Sequence, residues 1–316
     1  MKVLIVCSGN YGYISPFILE QANSLKRLGV DIDFFSIKGK GWLGYLLNYP
    51  ALTRKIKSYR PSIIHAHYGL SGLLANLQRT VPVVTTFHGS DINDKYVFKY
   101  SKWAHKLSAA SIFVENGMMQ KERKHDKSDI IPCGVDISVF YPISKSEASE
   151  ILGINSDRTN ILFSSAFNIP VKNYPLANKA CSKLETNEGA VINLIELKGY
   201  SRDQVNLLIN ASDCVLLTSY SEGSPQVIKE AMACNCPIVA TDVGDIKLVF
   251  GNTEGCYLTA FDTNDVAEKL KKALEFIRTK CSIKGRERII ELELDLETVA
   301  QKIITVYNKV LKIEKN

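Results

Sequence analysis

The sequence predicts an α/β protein made of two Rossmann-like domains, and two observations lead to this fold class. Short apolar runs alternate along the chain with segments whose apolar residues recur every three or four positions, as strands alternate with amphipathic helices. The alternation breaks once, at residues 140–147 (FYPISKSE), and then begins again. We therefore expect two parallel sheets with helices on both faces, the first domain comprising residues 1–143.

The first half contains six predicted strands and a clear first helix. The helix is expected at residues 16–28, where four apolar residues share one face and Gly29 follows. The N-terminal apolar run is also compatible with a signal peptide, but it has no small-residue cleavage site, and we interpret it as the first strand. The other strands are predicted at residues 30–36, 63–67, 83–87 and 110–114, with a last one near Ile131.

The second half repeats this organisation. Strands are predicted at residues 160–165, 191–197, 214–218 and 237–241. Helices are predicted at residues 174–185, 201–211, 225–233, 265–278 and 296–312, the last of them amphipathic.

Composition limits the class of protein. The chain has 316 residues and a net charge of +6, with the basic excess in its first half, which would attract an anionic partner. No apolar run reaches membrane-spanning length, and the N-terminal run is interpreted as a strand and not as a signal peptide. We therefore expect a cytoplasmic protein, with peripheral contact to the inner face of the membrane as an open alternative. The eight cysteines are expected to be reduced and buried, because only Cys234 and Cys236 lie close together and neither has a nearby histidine.

The most informative segment carries two glutamates, Glu222 and Glu230, on either side of a predicted helix start. Ser224 is a suitable N-cap and Pro225 a suitable first helical residue. Such a helix start can bind a phosphate through its backbone N–H groups, and Gly223 permits close approach. Carboxylates accept hydrogen bonds from diols, so the segment favours a nucleotide sugar. The alternative is that both glutamates are merely solvated.

Three further segments carry candidate polar groups. His88 follows a predicted strand and could hydrogen-bond a sugar hydroxyl, unless it is a loop histidine that the backbone satisfies. Lys172 precedes a helix and could reach a diphosphate, although most loop lysines are solvated. His65 and His67 share a strand face without an acidic or cysteine ligand beside them, so we expect no metal site.

A basic segment contains Lys95, Lys99, Lys102 and Lys106 at helical spacing, interleaved with aromatic residues. This pattern is typical of a helix that lies on an anionic membrane surface. The alternative is a solvated basic face with the aromatics turned into the core. We expect no nucleic-acid partner, because no recognised motif is present.

Together these segments resemble the retaining nucleotide-sugar glycosyltransferases of family 4, which have the GT-B fold. Residues 222–230 are similar to the family's E-x7-E motif and continue into E-A-M-A. Residues 88–91 resemble its H-G-x-D segment, and residues 131–136 (IPCGVD) resemble its I-P-N-G-V-D segment. Lys172 aligns with its diphosphate-binding lysine.

The resemblance implies a role for each matched residue. Glu230 would bind the ribose diol, and Glu222 would lie beside the hydroxyls and anomeric centre of the donor sugar. His88 would contact that sugar near the reacting centre. The diphosphate would be held without a metal ion by Lys172 and by the amides around Gly223, Ser224 and Pro225.

The acceptor side is implied in the same way. The loop of Gly9, Asn10, Tyr11 and Gly12 would face the acceptor. The last helix, within residues 296–316, would pack back on the first domain, so that the second domain comprises residues 144–295. The GT-B resemblance places a cleft between the two domains.

Two departures from the family pattern are visible. Ala166 and Phe167 stand where the family usually has an arginine that contacts the diphosphate. Residues 243–247 lack the second glycine and the later glutamate of the common G-G-x-x-E run.

The expected function is transfer of a sugar from a UDP- or GDP-linked donor to a glycan or lipid-linked acceptor, with no separate cofactor, in surface polysaccharide synthesis. A nucleotide-sugar epimerase or hydrolase and a non-catalytic sugar-nucleotide binding protein are the alternatives.

Overall fold

The computed structural model describes residues 1–10, 12–117, 127–189, 191–280 and 282–313. The chain divides into two compact units. Unit 1 comprises Met1–Gly134 and Leu296–Asn316, and unit 2 comprises Val135–Asp295.

The first of these divisions lies earlier than the predicted boundary at residue 143. Residues 135–143 belong to unit 2 because Phe140 is buried in its hydrophobic core. Arg286 fixes the same segment by donating hydrogen bonds to the carbonyl oxygens of Phe140 and Ile137, at 2.7 and 2.8 Å.

Unit 1 contains a six-stranded sheet with the strand order β2-β1-β3-β4-β5-β6, and all its pairings are parallel. The strands are β1 (Lys2–Ser8), β2 (Asp31–Ile37), β3 (Ile63–His67), β4 (Val83–Phe87), β5 (Ala110–Phe113) and β6 (Ser128–Ile130). Within the described residues, the helices of this unit are α1 (Pro16–Arg27), α2 (Gly41–Leu46), α3 (Tyr49–Tyr59), α4 (Gly69–Asn76), α5 (Ser90–Asn93), α6 (Lys95–Leu107) and the C-terminal Leu296–Ile313.

Unit 2 contains a five-stranded parallel sheet with the order β11-β10-β9-β7-β8. Its strands are β7 (Thr159–Phe163), β8 (Ile192–Glu196), β9 (Cys214–Leu217), β10 (Ile238–Thr241) and β11 (Cys256–Thr259). Its helices are α7 (Lys145–Leu152), α8 (Tyr174–Glu188), α9 (Arg202–Asn210), α10 (Gln226–Ala233), α11 (Ile246–Phe250), α12 (Thr263–Lys280) and α13 (Gly285–Glu291), so that Leu296–Ile313 is α14.

Each sheet is covered on both faces, which explains why the central strands are continuous apolar runs. In unit 1, one core lies between the sheet and helices α1 and α14, where Ile18 and Tyr307 are buried. A second core lies on the other face, against α3 and α4. The predicted return of the last helix to the N-terminal unit is seen in the contacts of α14, which belong to unit 1.

Several local predictions differ from the structure. The short helices α2, α3 and α4 and the strand β11 were not predicted, and α4 begins after Tyr68, which has a positive φ of 72°. Asn235, just after the end of α10, has a left-handed backbone conformation with a φ of 57°.

Two global features complete the description. Among the described residues, seven cysteines form no disulfide bond, and Cys281 lies outside those residues. Within the described ranges, no helix is both long enough and apolar enough to span a membrane.

Candidate functional site

The candidate residues of unit 2 lie at the carboxyl edge of its sheet. Lys172 lies in the loop after β7, and Glu222 lies in the loop after β9. Because β7 and β9 are adjacent and parallel, these two loops leave the sheet at the same edge. Open α/β sheets bind their ligands at this edge.

Lys172 and Glu222 form an ion pair, with 2.6 Å between Nζ and Oε1. Both side chains are largely buried. The loop that carries Lys172 is tied to the neighbouring strand, because the Thr218 hydroxyl is 3.0 Å from the carbonyl oxygens of Lys172 and Asn173. The backbone turns sharply at Asn173, which has a φ of 54°. The structure therefore brings together two residues that are fifty positions apart in the sequence.

Glu230 forms a second ion pair in this unit. Its carboxylate is 2% exposed, and Oε1 accepts a hydrogen bond of 2.6 Å from Nη2 of Arg202. The guanidinium of Arg202 also lies over the Phe140 ring, 4.6 Å from its centroid. Arg202 is the first residue of α9, whose start is fixed by the capping box of Ser201 and Gln204.

Arg202 is not among the site residues predicted from the sequence. Its signal was available, because Arg202 follows the predicted strand at 191–197 and begins the next helix. The partner of Glu230 could not be recognised, however, without knowing which helix starts lie beside each other at the sheet edge.

The predicted cap of the helix after Glu222 is wrong. Pro225, not Ser224, is the N-cap residue of α10, which begins at Gln226, and no side chain caps it. The Ser224 hydroxyl instead donates a hydrogen bond of 2.5 Å to Oδ2 of Asp245, and it also contacts the ammonium of Lys229. The competing partner was not visible in the sequence, since Asp245 follows the next strand.

The loop between Glu222 and Pro225 presents backbone donors. The N–H groups of Gly223 and Ser224 donate no hydrogen bond to any part of the chain that the structure describes. The loop leads into α10, whose N-terminal end carries the positive end of the helix dipole. Together with Lys172, these donors form a surface suited to phosphate oxygens.

The place of the expected arginine is filled by apolar packing. Ala166 is buried, and the Phe167 ring stacks on Tyr174 with 4.1 Å between centroids. Neither residue supplies a cation, so a diphosphate would have to draw its positive charge from other residues of the unit.

In unit 1, His88 begins a loop at the carboxyl end of β4 that the buried carboxylate of Asp91 organises. Asp91 accepts hydrogen bonds from the backbone N–H groups of Gly69, His88 and Gly89, at 2.9, 3.0 and 3.1 Å. Burial raises the pKa of Asp91 to about 6, and these hydrogen bonds oppose that rise. Gly89 has a φ of 102°, a conformation that side chains rarely adopt.

Both ring nitrogens of His88 have neighbours in unit 1. Nε2 lies 3.0 Å from Nδ1 of His67, and Nδ1 lies 3.7 Å from Sγ of Cys133. The ring also packs against Phe17 and Tyr68, with 5.0 and 4.7 Å between centroids. His88 is therefore held by contacts to its ring on several sides, which fixes the orientation that it would present to a ligand.

The two strand histidines are structural groups. His65 is fully buried between the Tyr307 hydroxyl, at 2.5 Å, and the Thr86 hydroxyl, at 2.7 Å. Burial lowers the pKa of His65 to about 3 and that of His67 well below the ordinary value. Among the described residues, no group of three or more His, Cys, Asp or Glu side chains is arranged to hold a metal ion.

The loop after β1 is held by an asparagine. The Asn10 side chain donates to the Gly39 carbonyl at 2.8 Å and accepts from the Gly39 N–H at 2.7 Å. A Cβ on Gly9 would lie 2.9 Å from the Cβ of Ser36, and Gly12 has a φ of 80°, so this loop requires both glycines. Tyr11 lies outside the described residues.

The predicted basic helix is α6. Lys95, Lys99, Lys102 and Lys106 are all exposed on it. The ammonium groups of the last three lie over aromatic rings of the same helix, 4.9 to 5.5 Å from the centroids.

The aromatic residues of α6 do not all turn inward. Tyr96 is 86% exposed and Trp103 is 56% exposed. Tyr100 stacks on Trp42 of α2, with 5.9 Å between centroids, so α2 lies beside this helix. Leu43 of α2 and Leu47 after it are also exposed.

Family comparisons agree with this architecture. The sequence model of "Glycosyltransferase Family 4" matches residues 24–139. The model of "Glycosyl transferases group 1" matches residues 169–275, which include Lys172, Glu222 and Glu230.

Two curated proteins and one solved structure illustrate the similarity. The teichuronic acid biosynthesis glycosyltransferase TuaC of Bacillus subtilis is 26% identical over 70% of this chain and 63% of its own length. The N,N'-diacetylbacillosaminyl-diphospho-undecaprenol alpha-1,3-N-acetylgalactosaminyltransferase of Campylobacter jejuni is 28% identical over 98% of this chain and 86% of its own. HepE of Anabaena, solved in complex with UDP, superposes with a TM-score of 0.77 at 17% identity, covering 98% of this chain and all of that one. The two parallel sheets with alternating helices are those of the GT-B fold.

Proposed function

We propose that this chain, which belongs to the glycosyltransferases of the family 4 type, moves a sugar from a nucleotide diphosphate sugar to a glycan or lipid-linked acceptor with retention of the anomeric configuration. The observation that carries the proposal is the loop at residues 222–224. It presents two backbone N–H groups without an acceptor beside the Lys172 ammonium and at the start of a helix.

The donor nucleotide is assigned to unit 2. Glu230 accepts hydrogen bonds from the ribose diol through its second oxygen, while Arg202 holds the first. The loop amides and Lys172 bind the diphosphate. HepE was solved with UDP, which supports a nucleotide diphosphate as the ligand class.

The ion pair of Lys172 and Glu222 provides charges that can stabilise the bound donor in the proposed reaction. Before donor binding, Glu222 keeps the ammonium at the sheet edge. When the diphosphate binds, the ammonium turns to its oxygens and offsets the charge that develops on the leaving nucleotide. Glu222 then accepts hydrogen bonds from the donor sugar. The protein's own cation and amides supply this stabilisation, so the proposed reaction needs no metal ion.

His88 is the proposed sugar contact of unit 1. Its ring is fixed by Asp91 through the backbone and by His67 and Cys133 through the ring nitrogens. A histidine held this firmly can hydrogen-bond a hydroxyl without losing much conformational entropy. The loop of Gly9, Asn10 and Gly12 is proposed to contact the acceptor.

The proposed acceptor is carried on a lipid at the cytoplasmic face of a membrane. The Campylobacter jejuni relative is named for a diphospho-undecaprenol substrate, and TuaC for teichuronic acid synthesis, which supports surface polysaccharide synthesis as the setting. The exposed lysines of α6, with Tyr96, Trp103 and the exposed leucines at α2, suit contact with anionic lipid.

A transfer assay tests the function. Purified protein is incubated with UDP- and GDP-linked sugars, one at a time, with and without undecaprenyl-diphosphate-linked saccharide in vesicles. Release of nucleoside diphosphate together with an elongated lipid product supports a transferase. Release without acceptor supports a hydrolase, and donor binding without release supports a binding protein. Glu222→Gln is expected to lower turnover more than donor affinity.

A further inference from the structure

Lys229 lies near the loop at residues 222–224 and is unusual because its side chain is fully buried. It lies on α10, beside Glu230, and its side chain is 0% exposed. Burial of an ammonium group is unfavourable unless an opposite charge or hydrogen-bond acceptors compensate it. The residues around Lys229 therefore supply that compensation.

Two partners of Lys229, Asp245 and Ser224, also contact each other. Its ammonium lies 3.7 Å from Oδ2 of Asp245 and contacts the Ser224 hydroxyl. That hydroxyl donates to the same Oδ2 at 2.5 Å. The other oxygen of Asp245, Oδ1, is buried without a hydrogen-bond partner among the described residues. The charge of Asp245 is therefore compensated mainly by Lys229 and Ser224.

The backbone at Gly244 and Asp245 contacts the loop at residues 222–224. The Asp245 N–H donates to the Gly223 carbonyl at 3.1 Å. Gly244 approaches so closely that a Cβ there would lie 2.2 Å from the Gly223 oxygen, and its φ is +62°. The loop at residues 222–224 is thus held by its carbonyl and hydroxyl groups, which leaves the N–H groups of Gly223 and Ser224 for a ligand.

We infer that Lys229 and Asp245 are positioning residues that set the conformation of residues 222–224 for diphosphate binding. The inference rests on the proposed function, because it gives a purpose to the diphosphate site named there. Asp245 lies in the segment that departs from the family's G-G-x-x-E run. It forms a buried ion pair with Lys229, which connects α10 to the loop before α11.

This role separates two parts of nucleotide recognition. The ribose contact, Glu230, is fixed by Arg202 and not by the Lys229 pair. Disturbing Lys229 or Asp245 should move the loop amides while leaving the Glu230 carboxylate bound to Arg202. The diphosphate should then bind more weakly, and the nucleoside should bind as before.

The experiment compares two ligands on matched variants. Affinities for UDP and uridine are measured by titration calorimetry, or for GDP and guanosine if the wild type prefers guanine. The variants are Lys229→Met, Asp245→Asn and the double variant Lys229→Met with Asp245→Leu. Lys247→Met is the control, because Lys247 is an exposed lysine close to the same carboxylate in sequence.

We expect each single variant to bind UDP at least about tenfold more weakly than the control while its affinity for uridine is unchanged. The double variant removes both buried charges, so it should recover thermal stability but not UDP affinity. If a single variant fails to fold, the UDP and uridine affinities of the double variant are compared with those of the control. The inference is overturned if a folded single variant or the double variant binds UDP as the control does, or loses uridine and UDP affinity equally. Failure of the wild type to bind any of the four ligands contradicts the proposed function instead.

Discussion

Replacement of Glu230 by alanine should weaken nucleotide binding without unfolding unit 2. Glu230 is buried, and one of its oxygens is 2.6 Å from Arg202. Its second oxygen is the proposed acceptor for a ribose hydroxyl. A hydrogen bond to a charged group contributes about 1.5–3 kcal/mol. Because about 1.4 kcal/mol corresponds to a factor of ten in affinity, the variant should bind UDP or GDP about 10- to 100-fold more weakly.

The assay is titration calorimetry with UDP and GDP on three variants. Glu230→Gln keeps an acceptor oxygen without the charge, so it should lose less affinity than Glu230→Ala. Glu254→Ala is the control, because Glu254 is exposed and lies outside the loops that carry Lys172 and Glu222. Equal affinity of Glu230→Ala and Glu254→Ala for the nucleotide would refute the assignment of Glu230 to the ribose.

Three further predictions concern the loops and α6. Gly244→Ala places a Cβ against the Gly223 carbonyl at a positive φ, so thermal unfolding should show a loss of about 1–3 kcal/mol; an unchanged midpoint contradicts the predicted clash. The pKa of Asp91 is raised by burial from 3.8 to about 6, so its contribution to stability is present below pH 4 and is lost as the pH rises to about 6, amounting to about 3 kcal/mol. Urea unfolding from pH 4 to pH 7 should show this decline in the wild type and not in Asp91→Asn, and parallel profiles contradict it. Lys99→Glu with Lys102→Glu should abolish salt-sensitive binding to phosphatidylglycerol vesicles, and unchanged binding excludes α6 as the membrane contact.

Much of the fold could be predicted from the sequence, because strands buried on both faces are continuous apolar runs. The predicted strands at 63–67 and 83–87 have the bounds of β3 and β4, which are buried along their whole length. Two of the helices that were not predicted, α2 and α4, carry weak local signals. Helix α2 contains two glycines in six residues, and α4 is apolar almost all round, so neither shows the periodicity of an amphipathic helix.

The candidate site could be predicted only in part, because contacts between its residues depend on strand order. Glu222 and Lys172 could be proposed because each follows a strand whose carboxyl end is recognisable. Their direct contact, and the partners Arg202 and Asp245, depend on which strands are neighbours. Strand order is a long-range property, and no local pattern along this chain encodes it. The mistaken cap at Ser224 has the same origin, because a distant carboxylate outcompetes the local helix for its hydroxyl.

The proposed function requires that unit 2 binds a nucleotide diphosphate sugar through the loop at residues 222–224 and Glu230. A thermal-shift screen of the wild type and Glu230→Ala against UDP- and GDP-linked sugars measures this binding. We expect donors of one nucleotide to raise the unfolding temperature of the wild type, and this rise to be largely lost in Glu230→Ala. A wild type that no nucleotide sugar stabilises, or a variant stabilised as much as the wild type, would contradict it.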